Sequence, residues 1–276
     1  MWFNDVINGT GLGLRTAFIE QVFDNPIKPN WFEIAPENWI KKRGYFRKLF
    51  EKIRENFPVA CHGLSLSIGS PEPVNKKFLK DLKDFLDYYE IKIYSEHLSF
   101  SYLDGKNLFE LFPLPFTKEM AYFISDKINQ VQDFLNRTLI IENISYYYVP
   151  YMEISETEFI KTILKKTGAK LLLDVNNVYV NSVNHGYDPY KYICSFSSDD
   201  VAYIHIAGHH KIDDNLIIDT HGNEITNEVY KLLDFTLDKI GYKPVLLERD
   251  NNIPPYNKLL DEYMKLKSRV EKYERV

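Results

Sequence analysis

Short apolar runs recur along this chain, and longer stretches with helical period separate them. Eight runs carry the pattern: Leu12 to Arg15, Trp31 to Ile34, Val59 to His62, Ile93 to His97, Leu139 to Glu142, Leu171 to Asp174, Ala202 to His205 and Val245 to Glu248. Their length and apolar character predict β-strands. Between them, residues 75–89 place Phe78, Leu82, Phe85, Leu86 and Tyr89 on one face, with Lys and Asp opposite. Residues 117–135 do the same with Ala121, Ile124, Ile128, Val131 and Leu135. That spacing predicts amphipathic helices. Ser155-Glu156-Thr157-Glu158 reads as a capping box, and Gly168 stands where a helix should stop before the next strand. A helix over 226–240 ends at Gly241 in the same way, and a last helix, 256–273, has no strand after it.

Strand and helix thus alternate about eight times, which predicts a parallel sheet with helices outside it. Eight units favour closure into a single α/β barrel of the (β/α)8, TIM type, spanning 1–276 as one domain. The open doubly wound sheet is the main alternative. It usually carries a glycine-rich phosphate turn after its first strand, whereas Gly9, Gly11 and Gly13 precede or sit inside the first strand here.

Composition narrows the classes further. The 276 residues are 45% hydrophobic, enough for a large core. The formal net charge of -5 argues against a general nucleic-acid binder, although a local basic groove stays open. Only Cys61 and Cys194 are present, far apart, so neither a disulfide framework nor a zinc ribbon is expected. Reduced thiols in the cytoplasm are the default. Met1 to Thr10 is polar and lacks the apolar core of a signal peptide, and no run is long enough to span a membrane.

The ends of the strands carry the candidate chemistry. From the third run on, the last residues are His62, His97, Glu142, Asp174, His205 and Glu248. In a parallel barrel all these ends meet at one face, the face that carries active sites. Glu142 could bridge two metal ions, or could pair with Arg15 or Arg249 across the barrel. Alternation on an extended chain would put Asp174 and Asn176 on one side, and likewise His205, Ala207 and His209, leaving His210 facing away. Asn176 alternatively caps a turn. Asp219 and His221 have the same spacing, with Asp219 either a ligand or the partner that orients His221. His185 lies in a loop after the sixth strand, on the correct face for a further ligand. Glu33 and Glu37 are weaker candidates. Glu96 should point to the helical layer, and Cys61 reads as a small buried hydrophobe. Imidazole and carboxylate without thiolate suit iron, manganese or zinc. Such donors serve oxygen activation and two-metal hydrolysis equally.

At these residues the chain resembles the multinuclear non-heme iron-dependent oxidases, the group that includes the methanobactin-biosynthesis oxidase. The resemblance runs from Gly11-Leu12-Gly13-Leu14-Arg15 to about Pro254. It rests on Phe32-Glu33-Ile34-Ala35-Pro36-Glu37-Asn38-Trp39, His62-Gly63-Leu64-Ser65-Leu66-Ser67-Ile68-Gly69, Ser95-Glu96-His97-Leu98-Ser99, Glu142-Asn143, Leu173-Asp174-Val175-Asn176-Asn177, His205-Ile206-Ala207-Gly208-His209 and Asp219-Thr220-His221. The set is specific where no single stretch is. It implies a barrel holding two or three irons, with dioxygen as co-substrate. Carried over by position, His62, His97 and Glu142 would hold one iron. Glu142 would bridge to a second, held by Asp174, His205 and Glu248. Asn176, His185, Asp219 and His221 would be candidates for a third. Glu142, Asp174 and His205 would be the catalytic centre. The resemblance further implies remodelling of cysteine, or sometimes another residue, in a ribosomally made precursor peptide, often with a partner protein that holds the peptide leader.

Two loops are candidates for meeting peptide or partner. Residues 144–151 are tyrosine-rich and follow Glu142 on the active face, although packing on the rim would also account for them. Residues 108–116 are apolar and proline-punctuated, expected to be non-helical and to cover the mouth or form a subunit contact. Two other functions compete with the oxidase: a divalent-metal sugar isomerase or endonuclease on a similar barrel, and a non-catalytic metal-binding protein.

Overall fold

A computed structural model describes residues 6–274; the first five residues of the polar N-terminal segment therefore lie outside the described residues. The chain order is β1 Thr10–Gly13, α1 Gln21–Asp24, β2 Trp31–Ile34, α2 Gly44–Asn56, β3 Val59–Gly63, α3 Lys76–Tyr88, β4 Tyr94–His97, β5 Phe100–Leu103, β6 Lys106–Phe112, α4 Lys118–Leu135, β7 Ile140–Glu142 and α5 Glu156–Thr167. It continues with β8 Lys170–Asp174, α6 Val175–His185, α7 Pro189–Cys194, β9 Val201–Ile206, β10 His210–Lys211, β11 Ile217–Ile218, α8 Asn227–Ile240, β12 Val245–Leu247 and α9 Tyr256–Glu274. Eight of the strands close into a parallel barrel, in the order β1-β12-β9-β8-β7-β4-β3-β2. Closure excludes the open sheet.

The barrel strands separate two apolar cores. Outward side chains such as Phe32, Cys61, Tyr94, Ile141, Leu173, Ile204 and Leu247 join the helices in one large cluster. Inward ones, among them Trp31, Ala60, Ile93, Ile140, Leu172, Tyr203 and Leu246, form a second cluster inside the barrel. Two residues further along the same strands stand Glu33, His62, Ser95, Glu142, Asp174, His205 and Glu248, all buried. Alternation with period two carries the inward face from an apolar floor to a polar mouth. Gly11 keeps this interior open: a Cβ there would collide with the Trp31 indole.

Helix starts follow their local chemistry. Asn75, Thr117, Ser155 and Thr226 each accept a hydrogen bond from a first-turn amide. Gly168 ends α5 in the left-handed region at φ 69°, where a glycine avoids the Cβ clash.

The structure departs from the sequence expectation at three places. The first strand begins and ends two residues earlier than the apolar run, because Arg15 lies beyond it at the mouth, paired with Asp250. No loop follows the sixth barrel strand, since α6 starts at the next residue. The segment 108–116 contributes to a hairpin, β5 with β6, from which Leu111 reaches the mouth cavity. Covering the mouth is therefore what part of that segment does.

Candidate metal centre

The carboxyl ends of the barrel strands enclose a cavity of about 510 Å³, lined by Glu33, His62, His97, Glu142, His221, Glu248 and Asp250 among others. Three donor groups converge there. His62, His97 and Glu142 form the first, Glu142, Asp174, His205 and Glu248 the second, and His221, Glu248 and Asp250 the third. Within each, one donor atom per residue lies within 4.8 Å of the others. Glu142 belongs to the first and second groups, and Glu248 to the second and third.

In the first group the Nε2 atoms of His62 and His97 are 3.1 Å apart, and each lies 3.0–3.2 Å from Glu142 Oε2. Both rings are held from behind. His97 Nδ1 donates to the Gly63 carbonyl at 2.9 Å, and His62 Nδ1 lies 2.8 Å from Ser95 Oγ. The Nε2 atoms of both rings therefore face the same point beside Glu142, and they are the nitrogens a metal would take in place of a proton. In the second group His205 Nδ1 stands 2.9 Å from Glu248 Oε2 and 3.6 Å from Glu142 Oε1, while its Nε2 faces Glu33 Oε1 at 2.8 Å. In the third, His221 Nδ1 is 3.3 Å from Glu248 and 3.2 Å from Asp250.

The donors fit a cation. Glu142 Oε2, Asp174 Oδ2, both His205 nitrogens and His221 Nε2 are buried and lack an aligned hydrogen-bond partner. Orphaned buried acceptors of this kind are costly unless an ion satisfies them. The carboxylates Glu33, Glu142, Asp174 and Glu248 each face an imidazole and no lysine or arginine among the described ion pairs. Burial opposes charge on His97, yet Glu142, Glu96 and Glu248 push it up to about 9. His205 is likewise raised well above its ordinary value, burial being outweighed by Glu33 and Glu248; His221 is raised by Asp219 and Glu248. Burial also opposes ionisation of Glu142, but His62 and His97 hold it far below the usual carboxylate range. Asp174 goes the other way: burial drives it well above its ordinary value, with Glu142 adding to the effect against the opposition of His221. Protons thus neutralise the centre, and a divalent ion would displace them.

The remaining expected residues are distributed unevenly. Asp174 is the N-cap of α6 and accepts from the Asn177 amide at 2.6 Å, so the extended chain assumed for 174–176 does not exist. Asn176 instead bridges Asp219 Oδ1 and His209 Nδ1, both at 2.9 Å, from the first turn of that helix. Asp219 stands beside His221: its Oδ1 is 2.9 Å from His221 Nε2, and its Oδ2 accepts from Ser145 Oγ at 2.8 Å. His185 is no loop residue. It ends α6, bonds the Tyr146 carbonyl at 2.8 Å and packs at a tilt against the Tyr146 ring, beside a separate cavity. Of the four candidates for a third site, only His221 joins a donor group. His210 is exposed, as expected, and Glu96 accepts from the Tyr94 hydroxyl and the Leu66 amide, away from the mouth. The pairings of Glu142 with Arg15 or Arg249 do not form, since Arg15 holds Asp250 and Arg249 holds Glu262 at 2.6 Å.

Three residues at the site, Asp250, Ser95 and Tyr203, escaped the sequence reading. Asp250 follows Glu248 by two residues, a spacing that signals a shared side, but it lies past the strand. Glu33 stands deeper in the site than a weak candidate should. Ser95 and Tyr203 carry no metal-ligand signature at all.

Comparison with known proteins adds the family context. The family model described as "RiPP precursor modification enzyme MbnB/TglH/ChrH" matches residues 9–271. A UPF0276 protein of Acinetobacter baylyi is 45% identical over 259 residues, covering 94% of this chain and 90% of its own. One from Pseudomonas aeruginosa is 40% identical, covering 94% and 91%. Among solved structures, a D-psicose 3-epimerase superposes with a TM-score of 0.63 at 13% identity, over 96% of this chain and 99% of that one. Endonuclease IV from Thermus thermophilus does so with a TM-score of 0.59 at 12% identity, over 96% and 99%. At such identities these two likenesses establish the fold alone.

Proposed function

We infer that this chain, which belongs to the MbnB/TglH/ChrH family of RiPP precursor modification enzymes, is an iron- and dioxygen-dependent oxidase that modifies a cysteine of its precursor peptide. The family makes it an enzyme acting on a ribosomally made peptide. The observation that carries the finer reading is the sharing of Glu142 and Glu248 among three donor groups, because a shared carboxylate is how neighbouring ions are held a few ångströms apart. Nitrogen and oxygen donors without thiolate suit iron.

Bound there, iron would supply dioxygen activation and an open position for a substrate thiolate. His62, His97 and Glu142 would hold one ion, Glu142, Asp174, His205 and Glu248 a second, and His221, Glu248 and Asp250 a third. The chain's own residues do the rest. Asp219 and Asn176 keep His221 and His209 in place from outside the donor groups. Trp39, Leu111 and Ile144 line the approach to the mouth, and their apolar surface would press water out around an entering side chain. Tyr147, Tyr148, Tyr151 and Met152 are exposed on the loop after β7, available to the peptide or to a partner holding its leader.

Elemental analysis of protein purified without oxygen from iron-supplemented cells tests this reading. Two or three irons per chain with little zinc or manganese are expected, together with a mass change in a co-expressed cysteine-containing precursor peptide. A single zinc, manganese or magnesium, unchanged by added iron, would overturn it in favour of isomerase or hydrolase chemistry. Bound metal with no exchangeable position and no peptide turnover would favour a purely metal-binding role.

A further inference from the structure

Behind the donor groups, inside the barrel, a line of polar side chains joins two histidines that belong to different groups. His62 Nδ1 lies 2.8 Å from Ser95 Oγ, and Ser95 Oγ lies 2.7 Å from the Tyr203 hydroxyl. That hydroxyl donates to Glu33 Oε2 at 2.7 Å, and the other oxygen of Glu33 stands 2.8 Å from His205 Nε2. All five residues are buried. They come from β3, β4, β9 and β2, so the line crosses the barrel rather than following one wall.

The proton directions along this line follow from its end. The Tyr203 hydroxyl has one proton, and Glu33 Oε2 takes it. Tyr203 therefore donates to it and must accept from Ser95. Ser95 has one proton and two acceptors, the Tyr203 oxygen at 2.7 Å and the Cys61 carbonyl at 3.3 Å; the shorter contact takes it, and with that proton engaged Ser95 accepts from His62 Nδ1. That leaves His62 Nε2 without a proton, facing His97 and Glu142. At the other end, Glu33 Oε1 faces His205 Nε2 at 2.8 Å and keeps a proton on that nitrogen, so that an ion would take Nδ1, which faces Glu142 and Glu248, by displacing only the proton held there. His205 has no aligned hydrogen bond at either nitrogen, so its ring is oriented by the charges on its two sides. Glu33 in turn is held at its far oxygen by Tyr203.

We propose that Tyr203 is the positioning residue that fixes His62 and His205 together in their metal-binding tautomers, so that two neighbouring ion sites depend on one phenol that touches neither ion. This rests on the multinuclear reading above. It predicts a pattern of losses that a purely packing role for Tyr203 would not produce. Ser95 serves only the His62 branch, Glu33 serves the His205 branch directly, and Tyr203 serves both.

The test is anaerobic titration of the metal-free full chain with ferrous ion by calorimetry, with Co(II) absorption as a second readout, on wild type, Y203F, S95A and E33Q. Wild type should bind at least two ions. Y203F should weaken both sites, by about 10- to 100-fold, the usual consequence of losing an outer partner of a metal-ligating histidine. S95A should weaken one site, E33Q the other, and each should alter one of the Co(II) spectra. Thermal unfolding of the metal-free variants identifies any that fail to fold; the two single-branch variants then still decide the matter, because weakening of both sites equally by S95A would overturn the branching. Y203F with both affinities within twofold of wild type overturns the proposal while leaving the metal centre intact. Wild type binding fewer than two ions removes the multinuclear reading itself, and the proposal with it.

Discussion

Glu142 and Glu248 have different weights from the other donors, because each serves two groups. Removing Glu142 should therefore lower metal content at two positions, whereas removing His221 should affect only one. Elemental analysis of E142A and H221A against wild type checks this: loss of a single equivalent in both would argue against sharing. His185 gives the opposite expectation. Its Nε2 bonds the Tyr146 carbonyl and its ring packs at a tilt against Tyr146, outside the donor groups. H185A should keep wild-type metal content and lose about 1–3 kcal/mol of stability, the ordinary cost of leaving a partly buried acceptor unpaired. Sequence spacing could not separate these two histidines, since both follow a strand at short range. Only the immediate start of α6 after β8 carries His185 a full helix away.

Among the elements, strand alternation was the most legible feature. Ligand-type residues end most of the apolar runs, and period two places them inward at the mouth. Alternation failed where a strand gave way to a helix. Asp174 and Asn176 keep their expected neighbourhood for another reason, because they sit at the cap and first turn of α6. The capping box before α5 was also legible, but its Glu156 had a further role hidden from the sequence. Its carboxyl is buried between the hydroxyls of Tyr146 and Tyr192, at 2.9 and 3.0 Å. Burial pushes it up to about 7, against the opposing hydrogen bonds of the two tyrosines. The folded state thus prefers the neutral acid. The associated stability is complete below the ordinary value of 4.5 and is lost as pH rises through about 7. The loss is on the order of 3 kcal/mol. Thermal melts of metal-loaded protein from pH 4 to 9 should show wild type declining relative to E156Q over that window. Parallel curves would mean that Glu156 does not titrate there.

For the whole molecule, the centre is a concentration of buried carboxylates that protons neutralise when no ion is bound. Any ion held by the folded chain and not by the unfolded one stabilises the fold by mass action, about 3–4 kcal/mol at 100 to 1,000 times the dissociation constant. Stripping metal with a chelator should lower the melting temperature, and re-addition of ferrous ion should restore it. A melting temperature indifferent to both would argue that the donors are a proton-neutralised polar core. The same three-dimensional account explains the hairpin β5–β6 and the tyrosine-rich loop, which lie on the active side of the barrel because both follow the carboxyl ends of strands.

The chain by itself determined the architecture and the inner ring of donors. Repeated apolar runs, helical spacing and helix caps are local signals, and closure of eight parallel units brings every strand end to one mouth. His62, His97, Glu142, Asp174, His205 and Glu248 follow from that rule without knowledge of any contact. Tertiary structure alone decided which donors are shared, that Asp250 completes the third group and that His185 does not. It also decided that Tyr203, Ser95 and Glu33 stand behind the donor groups. The reason is geometric: spacing along a strand specifies which side a residue faces, but distances across a barrel depend on strands far apart in sequence. A phenol and a hydroxyl are brought behind the donor groups only through such distances.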